Sequence, residues 1–258
     1  MNKALKEFAL SAVLFFGIFY ATLQVDWMRL LHLSPTIVSD KLTEWTWDLM
    51  SSGIREVQTD EIILPIDTLV REMCLANGID MASITVVVSK TPEVNAYATV
   101  GRHLVVNTGI INIMDNEAQL CAVLGHEVAH LQLNHIQTGI RRQAAIFVIL
   151  TLITGNGRGT DRLNEFITDM IGNSITRAKE NEADAQGARY LHAMHLDPLE
   201  MGNALEKLDS YGVFSFLSDH DDSKKRAERI RNMEFSDNGP CRQILSAETW
   251  ERLQQLCR

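Results

Sequence analysis

The order of apolar and polar residues along the chain predicts a few strands early and helices for most of the remainder. Residues 66–76 carry apolar side chains at helical spacing and stop before an Asn-Gly pair, which predicts a helix that ends there. The β-branched run at 84–88 predicts a buried strand, and residues 95–100 and 103–107 predict two adjoining strands. Beyond them the spacing is mostly helical. This order is typical of an α+β fold with a small sheet.

The most apolar stretch lies near the amino end. Residues 8–25 carry no charge and follow Lys3 and Lys6. As a helix this stretch would be ~27 Å long, close to the ~30 Å hydrocarbon core of a bilayer, and positive residues ahead of such a helix favour a cytoplasmic amino end. We therefore expect residues 1–33 to form a transmembrane signal anchor, with the remaining chain periplasmic or otherwise extracytoplasmic. A cleaved signal peptide and a soluble helix are the alternatives.

Composition and charge restrict the class of protein. With 258 residues, of which 46% are hydrophobic and 22% charged, the chain suits one compact domain with short additions and excludes a disordered or collagen-like protein. We assign residues 34–240 to that domain and residues 241–258 to a helical tail packed on it. Acidic residues outnumber basic ones by 33 to 24, for a formal charge of −9. Such a chain repels polyanions on average, so nucleic acid is not an expected partner.

The four cysteines show none of the CxxC spacing that holds structural metals. Cys241 and Cys257 flank the helix expected in the tail, so in an oxidising compartment they could form a disulfide. Two unpaired thiols are the equally open alternative. Any metal in this protein is therefore expected on ligands other than thiolates.

The chemistry of the chain is concentrated in the segment GHEVAH at residues 125–130. On a helix His126 and His130 lie one turn apart on the same face, at the spacing that lets two imidazole nitrogens bind one tetrahedral zinc. Glu127 follows the first histidine and is placed to act as a general base toward a zinc-bound water. Apolar residues surround these positions, which predicts a buried helix. The alternative is a core helix with two hydrogen-bonded histidines and a solvated glutamate.

A catalytic zinc usually takes three protein ligands, so a third must come from outside this helix. The HExxHxxGxxH pattern is absent, because His135 is out of register for a third histidine. A predicted helix at 176–195 offers Glu180 and Asp184, four residues apart on one face, whereas Glu182 is turned away from both. Glu180 would be a ligand, and Asp184 would bind a histidine Nδ1–H. An exposed acidic helix is the alternative.

Two blocks of the sequence together resemble a known family. The block NAYATVGRHLVVNTGIINIMDNEAQLCAVLGHEVAHLQLNH, followed by RAKENEADAQGARY, is similar to the zinc endopeptidases of metallopeptidase family M48, which include the CAAX prenyl proteases, HtpX and the BepA-type enzymes. The family pairs HExxH with ExxAD, which selects Glu180 over Glu182. The resemblance implies a zincin-like (gluzincin) fold with an edge strand beside the metal helix, and one zinc ion per chain. It assigns the zinc to His126, His130 and Glu180, the general base to Glu127 and the support of a zinc ligand to Asp184.

The resemblance also implies a substrate site on the second predicted strand. In this family the edge strand before the metal helix binds the substrate peptide by strand addition, and the matching residues are Asn95, Ala96, Tyr97, Ala98, Thr99 and Val100. Main-chain hydrogen bonds would then hold peptides of many sequences. Relatives often carry Pro-Gly-Gly where this chain has Val100-Gly101-Arg102, so a more basic rim of the cleft is expected.

A later segment, LSDHDDSKKRAERI at residues 217–230, is similar to the family's histidine-containing segment ahead of an arginine-bearing helix. His220 is therefore expected to stabilise the oxyanion or to occupy the open zinc position in a resting state. Arg226 or Arg229 is expected to brace the site or to pair with the aspartates nearby. A solvated charged loop is the alternative.

Together these features predict a membrane-anchored, zinc-dependent endopeptidase. Its substrates would be unfolded or extended proteins and peptides, and its expected task is quality control of membrane or envelope proteins. The membrane is a further expected partner, through the amino-terminal helix. A protein of another class is the alternative: a zinc-stabilised chaperone-like or scaffold protein that binds extended chains without cleaving them. Hydrolysis of casein that a chelator inhibits would separate the two.

Overall fold

The computed structural model describes most of the chain after residue 42. The described residues are 43–44, 46–48, 50–137, 176–212, 223–237 and 239–258. The contacts divide the chain into two units, Met1–Asp48 and Leu49–Arg258, and the fold below is that of the second unit. The expected anchor at 8–25 and His220 lie outside the described residues. Within those residues, we find no helix that combines the length and the apolar character needed to cross a bilayer.

Helices make up most of the described part of the second unit. They are α1 (Asp60–Ala76), α2 (Thr108–Ile113), α3 (Glu117–Gln132), α4 (Arg177–Ala193), α5 (Glu200–Ser210), α6 (Ser223–Arg231) and α7 (Ala247–Leu256). The strands are β1 (Thr85–Ser89), β2 (Ala96–Thr99) and β3 (His103–Asn107), with short 3₁₀ turns at Met81–Ser83 and Val100–Arg102. Strands early and helices late confirm the predicted α+β class.

The three strands form one sheet in the order β1-β3-β2. The middle strand, β3, pairs in parallel with β1, where Thr85 lies opposite His103. It pairs in antiparallel fashion with β2, where Ala96 lies opposite Val106. β2 is therefore at an edge of the sheet, and it contacts α3.

The first helix, α1, begins earlier than its predicted start at residue 66. Its first turns carry Asp60 and Glu61, whose charges are favourable at a helix N-terminus, and they also include Pro65. The proline lacks an N–H, so the helix lacks the one hydrogen bond that residue 65 would donate to residue 61. Because these residues interrupt the apolar spacing, the pattern alone does not reveal the first turn and a half.

The centre of the core is α3. Every residue from Leu120 to Leu131 is buried, because the helix packs against α1, α4, α5 and the edge strand β2. Its start is capped by Asn116, whose Oδ1 accepts a hydrogen bond of 2.8 Å from the Gln119 N–H. A polar side chain on a helix buried on all sides needs a partner, since burying an unpaired polar group is costly. The histidines and the glutamate of GHEVAH are therefore expected to have specific neighbours.

The C-terminal residues are tied to the start of α3. Glu117, in the first turn of α3, is buried, and its two carboxylate oxygens accept hydrogen bonds of 2.7 Å from the N–H groups of Ile244 and Leu245. The last helix, α7, packs on α1 and α2. Cys241 is exposed and Cys257 is buried, and none of the four cysteines, all of them within the described residues, is in a disulfide. The last residues thus help to fix the helix that carries the two histidines.

Candidate metal centre

Helices α3 and α4 cross closely where each carries a glycine. A Cβ atom added to Gly187 of α4 would lie 3.1 Å from the backbone nitrogen of His126 and 3.2 Å from the carbonyl carbon of Gly125 on α3. Ala183, one turn earlier on α4, is also fully buried. This approach brings the polar side chains on the facing sides of the two helices within reach of one another, as the small residues of α4 predict.

Three side chains meet beside this crossing: His126 and His130 from α3, and Glu180 from α4. The two Nε2 atoms lie 3.0 Å apart. Glu180 places Oε1 3.4 Å from His130 Nε2, and Oε2 3.5 Å from His126 Nε2. All three residues are at most 7% exposed. Among the described residues, this is the one group of His, Cys, Asp and Glu side chains arranged closely enough to hold a metal ion.

The cluster has the geometry and the donors that zinc requires. Ligand atoms about 2.0–2.1 Å from a tetrahedral zinc lie roughly 3.3 Å from one another. Here the two imidazole nitrogens are 3.0 Å apart, and each has one oxygen of the Glu180 carboxylate within 3.5 Å. Glu180 Oε2 is buried and accepts no hydrogen bond from any described residue, although Arg226 Nη2 lies 3.1 Å away. Such an oxygen is costly to bury, and a metal ion beside it would add to the compensation that the Arg226 guanidinium supplies. Two imidazole nitrogens and one carboxylate oxygen are a donor set of catalytic zinc sites.

Asp184 orients the first histidine. Its Oδ1 lies 2.9 Å from His126 Nδ1, which fixes the ring so that Nε2 faces the cluster. Arg226 of α6 is only 1% exposed, donates to both oxygens of Asp184 at 2.7 Å and lies 3.1 Å from Glu180. Of the two arginines expected to brace the site, Arg226 does so, whereas Arg229 donates to a half-buried asparagine side chain of α4.

Glu127 is buried beside His126 and is held by the edge strand. Its Oε2 accepts a hydrogen bond of 2.6 Å from the Ala98 N–H of β2. Burial raises the pKa of Glu127 to about 7, against the lowering effects of His126 and of this hydrogen bond. A carboxyl group with a pKa near neutrality can both accept and return a proton at physiological pH.

The two histidines differ in how they hold protons. Burial acts to lower the pKa of His126, but the nearby carboxylates of Asp184 and Glu180 outweigh it and raise the pKa to about 10. Burial, together with the neighbouring His126, keeps the pKa of His130 below its usual value. Burial opposes ionisation of Glu180, yet the two histidines and Arg226 hold its pKa well below the usual range. Without a metal ion, the proton on His126 therefore balances the carboxylates, and a bound metal would replace that proton.

The residues expected to bind an extended substrate form and flank the edge strand, which contacts α3. Ala96–Thr99 form β2, and Asn95 and Val100 flank it. Arg102, in the turn after β2, donates to the Ser83 carbonyl at 2.7 Å and to a carbonyl near the end of α3 at 3.3 Å. The guanidinium thus links the turn before β1 to the metal helix, and part of its hydrogen-bonding capacity is directed into the protein.

His135 was expected to take no part as a ligand, and the structure places it against the cluster. It is buried, with Nδ1 3.1 Å from His130 Nδ1 and Nε2 3.3 Å from Glu182 Oε2. The chain reaches this position because Asn134, with φ of 54°, turns it back after α3. Asparagine adopts this conformation more readily than most residues, so the Asn-His pair just past the helix was the signal available. The role of His220, outside the described residues, stays a prediction.

Comparison with known proteins agrees with this geometry. Residues 65–234 match the model of a protein family described as "Peptidase family M48". The chain is 32% identical over 148 residues to the mitochondrial metalloendopeptidase OMA1 of Arabidopsis thaliana, a match that covers 56% of this chain and 30% of that protein. It is 26% identical over 174 residues to metalloprotease LoiP of Escherichia coli, covering 63% and 68% of the two chains. It is 28% identical over 166 residues to the β-barrel assembly-enhancing protease of E. coli, covering 55% and 34%.

The matching region holds both halves of the cluster. The region of similarity covers about a third of the length of the Arabidopsis protein and about a third of the length of the β-barrel assembly-enhancing protease. Residues 65–234 make up well over half of the chain and include the HExxH segment of α3 and the ExxAD segment of α4. Zinc is the metal of this family, in agreement with the nitrogen and oxygen donors present. The chain belongs to peptidase family M48.

Proposed function

We propose that this protein is a zinc-dependent endopeptidase that hydrolyses peptide bonds of protein substrates. The observation that carries the proposal is the meeting of His126, His130 and Glu180 around one point. The buried Glu180 oxygen that accepts no hydrogen bond from a described residue adds to it. A bound zinc ion would polarise the scissile carbonyl group and lower the pKa of a water molecule from about 15.7 toward about 7.

Glu127 is placed to be the general base. It follows His126 on α3, its carboxylate is buried, and its pKa is raised to about 7, chiefly by burial. It would take a proton from the attacking water and return it to the leaving amine nitrogen. The Ala98 N–H holds Oε2 at 2.6 Å, which leaves Oε1 for the proton transfer.

The open edge of β2 suits an extended substrate chain. The hydrogen bond from the Asn107 N–H to the Asn95 carbonyl marks the paired positions between β2 and β3, and such positions alternate along antiparallel strands. The main-chain groups of Ala96 and Ala98 therefore point away from β3, and the contact of the Ala98 N–H with Glu127 agrees. An added strand would pair with the main-chain groups of Ala96 and with the Ala98 carbonyl, since the Ala98 N–H already donates to Glu127, so peptides of many sequences could bind.

Membrane or envelope proteins are the proposed substrates. The name of one relative, a β-barrel assembly-enhancing protease, supports this class. Residues 8–25, outside the described part of the chain, are proposed to anchor the protein because they are long and uncharged. After an alkaline carbonate wash, the full chain should stay with the membranes and a chain that begins at residue 34 should be released. Release of the full chain would contradict the anchor.

Replacing Glu127 by Gln tests the proposed activity. The variant should bind one zinc per chain as the wild type does, because residue 127 is not a proposed ligand. Its cleavage of casein should fall at least about 100-fold, since general acid–base catalysis contributes this much or more. Glu251→Gln, at an exposed position of α7, is the matched control and should cleave normally.

Two results would contradict this proposal. Undiminished cleavage by the Glu127→Gln variant would exclude Glu127 as the base. A wild-type protein that binds zinc and extended chains, yet cleaves neither casein nor unfolded membrane proteins, would indicate the chaperone-like or scaffold protein instead. Inhibition of the wild type by a chelator, and recovery when zinc is added back, would support the enzyme.

A further inference from the structure

We propose that His135 and Glu182 are positioning residues that set the tautomer of His130 and so prepare its Nε2 atom to bind the metal. This proposal rests on the function proposed above. It gives a role in metal binding to two residues that are not fixed positions of HExxH or ExxAD.

The contacts form a chain of three side chains. His135, 4% exposed, places Nδ1 3.1 Å from His130 Nδ1, with the two rings edge to face at 71°. On its other side, His135 Nε2 lies 3.3 Å from Glu182 Oε2. The backbone at this point is held as well, because Lys179 Nζ donates to the His135 carbonyl at 2.7 Å. The ring is thus fixed between a candidate ligand and a carboxylate.

The direction of these hydrogen bonds follows from the carboxylate at the end. An ionised carboxylate only accepts, so His135 Nε2 must carry the hydrogen that Glu182 receives. A neutral His135 ring that carries its hydrogen on Nε2 has an unprotonated Nδ1. That atom can only accept, and the hydrogen between the two rings must therefore lie on His130 Nδ1. Neutral His130 then has its lone pair on Nε2, the atom that faces His126 and Glu180.

The two candidate histidine ligands are therefore oriented by different means. The Nδ1 atom of His126 is hydrogen-bonded directly to a carboxylate, because Asp184 Oδ1 lies 2.9 Å away. Among the described residues, the partner of His130 Nδ1 is the His135 ring, which links it to the carboxylate of Glu182. A ligand histidine that loses such a partner can place its hydrogen on either nitrogen, and one of these tautomers cannot bind the metal. Loss of a partner of this kind typically weakens metal binding by about 10–100-fold.

Three variants separate the steps of this chain. His135→Leu removes both ring nitrogens, and His135→Asn keeps an oxygen acceptor near the position of Nδ1. Glu182→Ala removes the terminal carboxylate, and because the Glu182 side chain is 60% exposed this change does not threaten folding. His192→Leu, at a histidine that contacts Ser236, and Glu251→Ala on α7 are the matched controls.

Zinc affinity, measured by competition with a chromophoric chelator, is the first readout. His135→Leu and Glu182→Ala should bind zinc about 10–100-fold more weakly than the wild type. His135→Asn should recover most of the loss, and both controls should bind as the wild type does. Equal affinity in all variants would overturn the proposal. If His135→Leu does not fold, His135→Asn and Glu182→Ala decide the matter.

The second readout is the ¹H–¹⁵N NMR signal of the His130 Nδ1–H in the zinc-loaded protein. Glu182→Ala should shift this signal upfield and speed its exchange with water, because the His135 acceptor loses its own carboxylate partner. A purely structural role of His135 predicts an unchanged signal in this variant, and that result would overturn the relay. Casein cleavage by the same wild-type preparation keeps the two proposals apart. A wild type that binds zinc without cleaving contradicts only the activity, whereas normal cleavage and unchanged affinities contradict only the positioning pair.

Discussion

The contact between α3 and α4 leaves little room for a side chain at Gly187, and the Gly187→Ala variant tests this crossing. The added Cβ would lie 2.3 Å from Met201 Cε, 3.1 Å from the His126 backbone nitrogen and 3.2 Å from the Gly125 carbonyl carbon. The methionine end can rotate, although Met201 is only 1% exposed. The two backbone atoms can make room for the added Cβ only if the helices separate by a few tenths of an ångström.

Two opposing effects set the size of the expected change. Overpacking of a buried contact costs about 1–3 kcal/mol, while Ala in place of Gly inside a helix gains about 0.5–1 kcal/mol. We therefore expect the free energy of unfolding to fall, by at most about 2.5 kcal/mol. Gly202→Ala on α5 is the matched control, because atoms of Ala227 lie 3.4–3.5 Å from its added Cβ, in ordinary contact. That variant should gain about 0.5–1 kcal/mol.

Urea unfolding of the metal-free protein measures both variants, with the midpoint and the slope recorded for each. Glu180 lies two turns before Gly187 on α4, so separation of the helices also moves its carboxylate away from the two histidines. Zinc affinity should therefore fall in Gly187→Ala and stay unchanged in the control. Stability equal to that of the control, together with unchanged zinc affinity, would refute the reasoning that this crossing sets the geometry of the cluster.

Three other changes probe the surroundings of the cluster. Arg226→Met removes the guanidinium that pairs with the buried Asp184 carboxylate and should destabilise the metal-free protein by about 3–5 kcal/mol in urea unfolding. Lys224→Met, at an exposed position of the same helix, should change the stability by less than about 0.5 kcal/mol. The pKa of His126 is raised from 6.5 to about 10. Protonation of His126 therefore stabilises the metal-free fold fully below pH 6.5, and this stabilisation is lost as the pH rises toward 10. Urea midpoints should fall across that range, and a flat profile would contradict this. Ala98→Pro removes the N–H that binds the proposed base without breaking a β2–β3 hydrogen bond, so casein cleavage should fall at least about 10-fold with zinc retained, whereas Ala98→Ser should stay active.

Spacing within a single helix was enough to predict which side chains would share a face. His126 and His130, and likewise Glu180 and Asp184, are four residues apart, and the rotation of roughly 100° per residue fixes that relation locally. Which helix meets which is a property of the tertiary fold. The resemblance to a family selected Glu180 over Glu182, and the distances within the cluster agree with that choice.

Other features depend on contacts that no local pattern contains. By helical spacing His135 lies roughly 140° around the axis from His130, and only the left-handed turn at Asn134 brings the two rings together. Arg226 and Arg229 are three residues apart on one helix, and packing against α4 decides that the first is buried. The sheet order β1-β3-β2 likewise requires a parallel pairing between strands that are not consecutive.

The two hydrogen bonds of Glu117 make the final packing of α3 depend on residues near the C-terminus. A chain emerges from the ribosome amino end first, so α3 is made well before residues 244 and 245. Until they arrive, the Glu117 carboxylate lacks those two N–H partners, and an ionised carboxylate without partners resists burial. We expect a prematurely released chain to keep the histidine-bearing helix incompletely packed. The two histidines should therefore reach their final packing only after residues 244 and 245 have been translated.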